Sequence, residues 1–516
     1  MTYSNPVVPG FYPDPSVCCV GDDYYLVNSS FEYFPGVPIF HSRDLVHWRQ
    51  IGHCLTRESQ LPLHGQHASQ GIYAPTLRYH KGRFYMTTTN SGLGKHLIVW
   101  TDDPAGEWSE PVWIAEHGYM DPSLFFDDDG RVYFTSFGNF GQGIIQTEID
   151  VHTGARLSPT REVWSGTGGA SAEGPHLYKI NGTYYLLLAE GGTEFGHMIT
   201  MARSQTPWGP WEVCPHNPIL TNRSLPGPIQ CVGHGDLVED SRGVWWMICL
   251  GVRLNRGYPF AHTLGRETFL APVRWEDGWP LAGDTSQSRH GRILPEMQAD
   301  LLPPHPWPVA AERDDFDGEI LDFPWNFLRN PDPRSWSLSE RPGFLRLHGL
   351  AVTLDENASP AWVGRRQQHH LCAATTRLEF APQGANEEAG IVALMNPMHH
   401  YEIAVCGDGS GGRKALVRRR IGSLVAVVSE IELPVTGAVE FQIVATSQEY
   451  HFRLRTEGQP WRDVARGETR YLAKECAGGF TGVYFGLYAT GNGHPCRVSA
   501  DFDWFEYQEQ KESEQP

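Results

Sequence analysis

Three carboxylic side chains stand in short motifs that resemble one another along the chain. Asp14 lies in Pro-Asp-Pro-Ser, Asp121 in Met-Asp-Pro-Ser, and Glu173 in Ala-Glu-Gly-Pro. A carboxylic acid that donates a proton, a carboxylate that activates water and a third group that tunes the acid can together hydrolyse a glycosidic bond. A single Asp-Pro step more often only caps a turn. Two identical Asp-Pro-Ser steps and a Glu-Gly-Pro in comparable places favour the catalytic interpretation.

These motifs open five repeats of a common pattern. Each repeat begins with a short polar or proline-containing step, continues as an apolar run, turns at a glycine and ends in an aromatic run. The segments are DPSVCCVGDDYYLV from Asp14, APTLRYHKGRFYMT from Ala74, DPSLFFDDDGRVYFT from Asp121, EGPHLYKINGTYYLL from Glu173 and HGDLVEDSRGVWWMI from His234. Asn-Gly and Asp-Gly between such runs are strong β-hairpin signals. A weaker element that ends in tryptophan follows most copies, so each repeat has about four short strands, the size of one propeller blade.

The repeats predict an all-β protein with two domains. Residues 1–285 are predicted to form a five-bladed β-propeller, and residues 286–312, which contain a proline cluster, a linker or wrapping segment. Residues 313–508 show alternating strands without the repeat, which predicts an antiparallel, concanavalin-like β-sandwich, and residues 509–516 a flexible tail. A β-sandwich with chance internal similarity is the alternative for the first domain.

Composition argues against several classes of partner. The chain has 41 Lys+Arg and 60 Asp+Glu, a formal net charge of −19, so a basic surface for nucleic acid is not expected. No apolar run approaches the ~18 residues that span a membrane, and no signal peptide is visible. The 10 cysteines include no Cys-x-x-Cys pair, which favours free thiols in a reducing compartment over structural zinc. We therefore expect a cytoplasmic protein that binds neither nucleic acid nor membrane.

The predicted propeller brings the repeat openings together. The first strand of each blade lines the central channel, so equivalent strand ends meet at one mouth. Asp14, Ala74, Asp121, Glu173 and His234 are therefore predicted to converge. Because burying several carboxyl groups side by side costs free energy unless they are used or paired, this mouth is the predicted active site.

The same segments carry a resemblance to a known family. NPVVPGFYPDPS, GIYAPTLRYHKGRFY, YMDPSLFFDDDG, SAEGPHLYKINGTYYLLLAEGGT, GHGDLVED and LGRETFLAPVRWEDGWP, in this order, resemble glycoside hydrolase family 43. The resemblance covers essentially the whole chain and is strongest to the β-xylosidase and α-L-arabinofuranosidase branch with a C-terminal β-sandwich. It implies an inverting exo-hydrolase that releases terminal β-D-xylose, α-L-arabinofuranose or both from xylo-oligosaccharides or arabinoxylan fragments, with no required cofactor.

The resemblance also implies roles for the carboxyl groups. Asp14 matches the general base that activates water, Glu173 the general acid, and Asp121 the group that modulates the pKa and orientation of the acid. An inverting mechanism implies that base and acid stand about 6.5–9.5 Å apart, which leaves room for the water.

Two basic residues are implied to serve the same site. Arg266, in Leu-Gly-Arg-Glu-Thr, matches an arginine that pairs with the modulator Asp121 and reaches hydroxyls of the terminal sugar. An ordinary ion pair with Glu267 or Asp277 is the alternative. His234 matches the channel histidine of the family, which contacts a divalent ion, often calcium, in some members; a histidine bonded only to water or backbone is the alternative.

Four aromatic residues are implied to bind the sugar. Phe31 and Phe34, in Ser-Ser-Phe-Glu-Tyr-Phe, match an aromatic segment of the sugar pocket, and packing between blades is their alternative. Tyr73 stands where many xylosidases of the family carry tryptophan, a departure that favours tolerance of arabinofuranose. Phe480, in Gly-Gly-Phe-Thr-Gly, matches an aromatic loop that the sandwich sends toward the propeller mouth.

The remaining predictions concern a metal site, the oligomeric state and two rival functions. Asp315 or Asp317 with Asp503 matches a calcium site of some related sandwiches, although paired carboxylates at strand ends are common without metal. A homo-oligomer is expected, because relatives commonly associate through the sandwich. The enzymatic rival is a retaining five-bladed fructan or sucrose hydrolase, which carries Asn-Asp-Pro-Asn in its first blade. The non-enzymatic rival is a carbohydrate-binding propeller, which predicts loss of at least one of the three carboxyl groups.

Overall fold

The computed structural model of the protein describes residues 1–114, 117–139, 141–255 and 259–511. Across these ranges β-strands dominate, and the helical segments are a 3-10 turn at Thr469–Leu472 and a short α-helix at Lys474–Ala477. The prediction of an all-β protein is therefore confirmed.

Five four-stranded antiparallel sheets follow one another along the first part of the chain and form the five predicted blades. Their strands are Ser16–Val20, Asp23–Val27, Gly36–Ser42 and Arg49–Leu55 in blade one; Thr76–His80, Arg83–Asn90, Lys95–Thr101 and Val112–Ile114 in blade two; Met120–Phe126, Val132–Asn139, Gln142–Glu148 and Arg161–Trp164 in blade three; Glu173–Ile180, Thr183–Glu190, Met198–Ser204 and Glu212–Val213 in blade four; and Ile229–Glu239, Trp245–Arg253, Glu267–Glu276 and Trp279–Ala282 in blade five.

The hairpin at the start of blade four shows why the repeats fold in this way. Ile180 pairs with Thr183 across Asn181-Gly182. Both central residues have positive φ, 51° at Asn181 and 79° at Gly182. Asparagine and glycine tolerate this conformation, and such turns match the twist of the strands that they join.

The first strands of the blades meet at the centre through side-chain hydrogen bonds. Thr76 Oγ1 donates to the Pro122 carbonyl at 2.9 Å, which joins blade two to blade three. The Leu77 amide donates to Ser16 Oγ at 3.0 Å, and Ser16 Oγ donates to Asp236 Oδ2 at 2.6 Å, which joins blades two, one and five. The first strand of each blade therefore lines the channel, as the repeats predict.

The segment between the domains wraps around the propeller. Glu296–Gln298 pairs with the N-terminal strand Thr2–Ser4, and the Trp307 indole donates to the His47 carbonyl of blade one at 3.1 Å. The chain is thereby held against the propeller before the sandwich begins.

The sandwich consists of two antiparallel sheets that enclose the largest apolar core of the molecule. One contains Arg313–Asp314, Trp336–Ser337, Leu345–His348, Cys372–Glu379, Val439–Ala445, Glu449–Thr456, Arg462–Glu468 and Ser499–Glu509. The other runs in the order Leu424–Leu433, Arg413–Ile421, His399–Gly407, Glu388–Asn396, Tyr484–Thr490, Ala361–Arg366, Asn326–Leu328 and Tyr33–Phe34. The last strand of the second sheet belongs to the propeller, so the two domains share a sheet.

Leu424–Leu433 lies at the opposite edge of this second sheet, and we call it the edge strand. Leu424, Val425, Val427 and Val428 are all exposed there, from 42 to 71%. Such an exposed apolar edge is a template for pairing with another chain.

Three remaining features are the C-terminal end of the chain, the cysteines and the helices. The last strand reaches Glu509, inside the predicted tail, and residues 512–516 of that tail lie outside the described residues. Every cysteine is a free thiol. No helix among the described residues is long and apolar enough to cross a bilayer.

Candidate active site

The blade openings share one backbone conformation at the channel mouth. Asp14, Asp121, Gly174 and His234 have φ values of 51°, 55°, 58° and 40°. Ala74 is the equivalent position of blade two, because the regular hairpin register begins two places after it, as it does after Asp14, Asp121 and Gly174; in blade five it begins one place after His234. We call these five positions the channel slot. Strained backbone of this kind, at non-glycine residues, is typical of functional sites.

Glu173 stands one residue before the channel slot, which corrects the simple alignment of the repeats. Gly174 occupies the slot in blade four, and a Cβ atom there would lie 3.0 Å from Cε1 and Nε2 of the His234 ring. Non-glycine residues adopt this φ in blades one, three and five, so it is the His234 ring that favours glycine at this position.

Asp14 is held by two short hydrogen bonds. Arg266 Nη1 donates to Asp14 Oδ1 at 2.6 Å, and Ser29 Oγ donates to Asp14 Oδ2 at 2.6 Å. His234 Nδ1 lies 3.8 Å from Asp14 Oδ1, too far for a hydrogen bond. The carboxylate is only 4% exposed, and its guanidinium partner stabilises the charged form.

The other two carboxyl groups are held toward the protonated form. Burial and the nearby charge of Asp14 raise the pKa of Asp121 to about 6, although the hydrogen bond that Asp121 accepts from the Gly174 amide at 3.1 Å lowers this pKa. Burial, Asp121 and Asp14 raise the pKa of Glu173 well above its ordinary value. Within the described part of the chain the Glu173 side chain makes no hydrogen bond or ion pair. One carboxyl group is thus poised as an acid and another as a base.

These groups line a cavity of about 230 Å³. The predicted residues that it brings together are Asp14, Phe31, Tyr73, Asp121, Glu173, His234, Arg266 and Phe480. The lining that sequence reasoning missed consists of Met120, Ser171, Gly192, Thr193 and Glu194. A signal for the last three was available, because the Gly191-Gly192 step after the aromatic run of blade four marks a loop at the same end of the strand.

Three aromatic rings form one wall of the cavity. The ring centroids of Phe31 and Tyr73 are 5.3 Å apart, and those of Phe31 and Phe480 are 6.1 Å apart with the rings stacked. The Arg266 guanidinium lies 5.5 Å from the Phe31 ring and 5.8 Å from the Phe480 ring. Such a wall suits the C–H face of a sugar, while the charged groups opposite suit its hydroxyls.

Phe34 was wrongly predicted to line the sugar pocket. It forms the strand Tyr33–Phe34, pairs with Phe327 of the sandwich and packs against the sandwich core. Alternation along this short strand sends its ring to the domain interface, whereas Phe31, before the strand, faces the cavity.

The predicted partner of Arg266 is also corrected. Its ion pair is with Asp14, not with Asp121, Glu267 or Asp277. Glu267 instead pairs with Arg253 at 2.7 Å. Arg266 still lies close enough to lower the pKa of Asp121 through its charge.

A second polar layer lies deeper in the channel. The fully buried Asp236 accepts hydrogen bonds from Arg78 at 2.7 Å, Ser16 at 2.6 Å and the Tyr178 hydroxyl at 2.5 Å. Burial alone raises the pKa of Asp236, but Arg78, His176 and these hydrogen bonds more than offset it and lower that pKa below the ordinary range. Asp236 is therefore a buried anion that ties four blades together beneath the cavity.

The proposed calcium ligands do not form a metal site. Asp315 bonds Arg313 at 2.6 Å, and Asp503 bonds Arg377. No cluster of three or more His, Cys, Asp or Glu side chains fit to hold a metal ion occurs among the described residues, His234 included. Asp315 and Asp503 are thus each already paired with a guanidinium group.

Comparison with known proteins agrees with the fold. The profile for Glycosyl hydrolases family 43 matches residues 3–280, and that for the beta xylosidase C-terminal concanavalin A-like domain matches residues 313–508. A non-reducing end alpha-L-arabinofuranosidase of Bacteroides ovatus is 45% identical over 98% of this chain and 94% of its own length. A xylosidase/arabinosidase of Butyrivibrio fibrisolvens is 39% identical over 98% of this chain and 99% of its own.

Solved structures agree over the same length. The structure described as "Bacteroides ovatus Xyloglucan PUL GH43B" superposes with a TM-score of 0.94 at 44% identity, over 99% of this chain and 100% of that one. The two family profiles together account for the propeller and for the sandwich as separate units. This chain belongs to glycosyl hydrolases family 43 and is a glycoside hydrolase with the C-terminal concanavalin-like domain of the β-xylosidases.

Proposed function

We propose that the enzyme is an inverting exo-hydrolase that releases terminal α-L-arabinofuranose and β-D-xylose from xylo-oligosaccharides or arabinoxylan fragments. The observation that carries this proposal is the division of labour among the carboxyl groups. Asp14 is ion-paired and hydrogen-bonded as a carboxylate, whereas burial and two neighbouring carboxylates raise the pKa of Glu173. An ionised base and a protonated acid in one cavity are what a single displacement requires.

The reaction then proceeds in one step. Glu173 donates its proton to the glycosidic oxygen as the bond from that oxygen to the anomeric carbon breaks. Asp14 accepts a proton from a water molecule, whose oxygen forms the new bond on the opposite face of the sugar. The leaving saccharide departs as an alcohol, the anomeric configuration inverts, and the two carboxyl groups exchange protons with solvent before the next cycle.

Asp121 and Arg266 support this step from two sides. The charge of Asp121 raises the pKa of Glu173, and the Gly174 amide fixes Asp121 at 3.1 Å. Arg266 holds the base at 2.6 Å and stands against the Phe31 ring, at the edge of the space for the sugar. Asp121 thus favours the protonated form of the acid, and Arg266 places a positive charge against the base.

The small size of the cavity supports exo action on a terminal sugar. Phe480 of the sandwich stacks on Phe31 of the propeller, and Tyr73 continues the same wall. A cavity of about 230 Å³ suits one sugar ring and not a continuous polymer. The names of the Bacteroides ovatus and Butyrivibrio fibrisolvens relatives, an arabinofuranosidase and a xylosidase/arabinosidase, support the choice of these two sugars.

The test is a paired assay with nitrophenyl α-L-arabinofuranoside and nitrophenyl β-D-xyloside, followed by proton NMR of the first product. We expect turnover of both and an inverted anomer as the first sugar released. A retained anomer would refute the inverting mechanism, and turnover of sucrose instead of either glycoside would favour the retaining fructan or sucrose hydrolase. Binding of both sugars without turnover would favour the non-catalytic propeller.

A further inference from the structure

The lid residue Phe480 reaches the cavity on a loop that is pinched between two parts of the propeller. Phe480 is 38% exposed and is carried by the segment Gly478 to Gly482. A Cβ atom on Gly479 would lie 2.6 Å from Ser69 Oγ, and one on Gly482 would lie 2.5 Å from the Leu264 carbonyl. The loop therefore depends on close backbone approach on both sides.

Ser69 is the propeller residue that fixes the tip of this loop. Ser69 Oγ accepts a hydrogen bond from the Phe480 amide at 2.9 Å. Ser69 itself has a φ of 64°, a left-handed conformation that a serine adopts only when its surroundings enforce it.

Glu32 constrains the backbone of Ser69 through a hydrogen bond. Its Oε2 accepts a hydrogen bond from the Ser69 amide at 3.0 Å, and its side chain is only 1% exposed. Glu32 also follows Phe31, the ring on which Phe480 stacks. One buried carboxyl group is thus linked to both of the aromatic residues that stack on each other in the wall of the cavity.

We propose that Ser69 and Glu32 are positioning residues, which hold the Phe480 lid against the cavity through the chain Glu32 carboxyl, Ser69 amide, Ser69 hydroxyl and Phe480 amide. This inference rests on the proposed function, because it concerns the binding of the terminal sugar in that same cavity. Neither residue touches the reacting atoms, so the relay acts on sugar affinity and leaves the chemical step to Asp14 and Glu173.

The charge on Glu32 makes this relay sensitive to pH. Burial raises the pKa of Glu32 to about 7, while the Arg329 guanidinium and the Ser69 amide lower it. The titratable or charged groups that act on it are Arg329, Tyr33 and Tyr484, and Arg329 directs its own hydrogen bonds to Gln66, Asn357 and Ala358. Above about pH 7 the carboxylate is ionised and holds the Ser69 amide more strongly, because a charged acceptor strengthens a hydrogen bond. The lid is therefore held best on the alkaline side of neutrality.

The experiment is a double-mutant cycle between Ser69→Ala and Phe480→Ala. A lost neutral hydrogen bond lowers affinity about fivefold, so Ser69→Ala should raise KM for nitrophenyl α-L-arabinofuranoside about fivefold with kcat within about twofold. In the Phe480→Ala background the same substitution should have no further effect. Ser69→Gly should behave like Ser69→Ala, since it removes the hydroxyl but relieves the left-handed backbone. Ser158→Ala is the matched control, because Ser158 Oγ also accepts a backbone amide, that of Glu148 at 2.9 Å, on the far side of blade three.

The pH arm uses Glu32→Gln, which keeps an acceptor for the Ser69 amide but has no charge to lose. The KM of the wild type should rise as the pH falls from about 8 to about 6. The KM of Glu32→Gln should not show the part of this rise that comes from Glu32. An unchanged KM in both Ser69 variants, additive effects in the cycle, or the same slope of KM with pH in Glu32→Gln would each overturn the proposal.

Dissociation constants of L-arabinose and D-xylose, measured by calorimetry on the same variants, separate this inference from the proposed function. Weaker sugar binding in Ser69→Ala without any hydrolysis by the wild type would overturn the function and support the relay. Hydrolysis by the wild type with unchanged sugar binding in Ser69→Ala would overturn only the relay.

Discussion

Replacement of Glu173 by glutamine tests the acid assignment most directly. Burial and the charges of Asp121 and Asp14 raise the pKa of Glu173 well above its ordinary value, which favours the protonated form. Glutamine has the shape and the neutral charge of the protonated acid. The variant should therefore fold with a thermal midpoint at or above that of the wild type, because a buried carboxyl group beside two others destabilises the native state.

The expected loss of activity depends on the leaving group. General acid catalysis contributes about 10²–10⁴-fold, or about 3–5 kcal/mol of barrier, when the leaving group is a poor one. Since the variant has no proton to donate, this factor should be lost for xylobiose or an arabinosylated xylo-oligosaccharide. A dinitrophenolate leaves without a proton, so kcat on dinitrophenyl glycosides should fall less than about tenfold.

The assay compares kcat/KM of both substrate types across pH. For the wild type the rate falls at alkaline pH as Glu173 loses its proton, and with the dinitrophenyl substrate the variant should lack this alkaline limb. Glu212→Gln is the matched control, because Glu212 lies on the outer strand of the same blade, exposed and paired with Arg203 at 2.8 Å. Equal losses on the two substrate types, or wild-type turnover of xylobiose by Glu173→Gln, would refute the reasoning.

Three further predictions concern the modulator, the channel and the edge strand. Asp121→Asn removes a charge that raises the pKa of Glu173, so the alkaline limb of the wild-type pH–rate profile should move to lower pH; a limb that stays in place contradicts the modulator role. Arg78→Met leaves the buried Asp236 anion without its guanidinium partner and should lower the free energy of unfolding by about 3–5 kcal/mol in urea titrations. The pKa of Asp236 is lowered in the native state. In the wild type the stabilisation is therefore present above the pKa of the unfolded state and is lost as the pH falls through the native pKa. The expected homo-oligomer should dissociate in Val427→Lys, which charges the exposed edge strand, when its mass is measured by sedimentation; an unchanged mass would place the contact elsewhere.

The repeats made it possible to predict the propeller and the place where its blade openings meet, because hairpin turns and X-Pro steps are local signals. Asn181-Gly182 specifies its turn whatever lies around it, and the glycine-containing turns after the first strands of five blades determine which strand ends face the channel. The carboxyl groups of Asp14, Asp121 and Glu173 then meet as a consequence of blade geometry.

The partners of these groups were not predictable in the same way. Ser29, which lies in a loop, donates a hydrogen bond to Asp14. Arg266, just before the third strand of blade five, pairs with Asp14 and not with Asp121 because of the direction of its side chain. Phe34 and Phe31 are both aromatic and three residues apart, yet only a strand shared with the sandwich decides that Phe34 turns away. Contacts of this kind depend on packing between distant segments, which leaves no local pattern in the sequence.

The single-residue offset of Glu173 explains how one repeated opening yields both a base and an acid. In the channel slot of blade one Asp14 pairs with Arg266, whereas Asp121, in the slot of blade three, has no such ion pair and its pKa is raised to about 6. Glu173, one residue before the slot of blade four, lines the same cavity, is half-buried and has no hydrogen-bond or ion-pair partner among the described residues. A side chain in that slot would crowd the His234 ring, since a Cβ atom at Gly174 would lie 3.0 Å from it. Glycine in the slot of blade four therefore leaves room for His234, and the acid stands beside the slot, where burial, Asp121 and Asp14 raise its pKa.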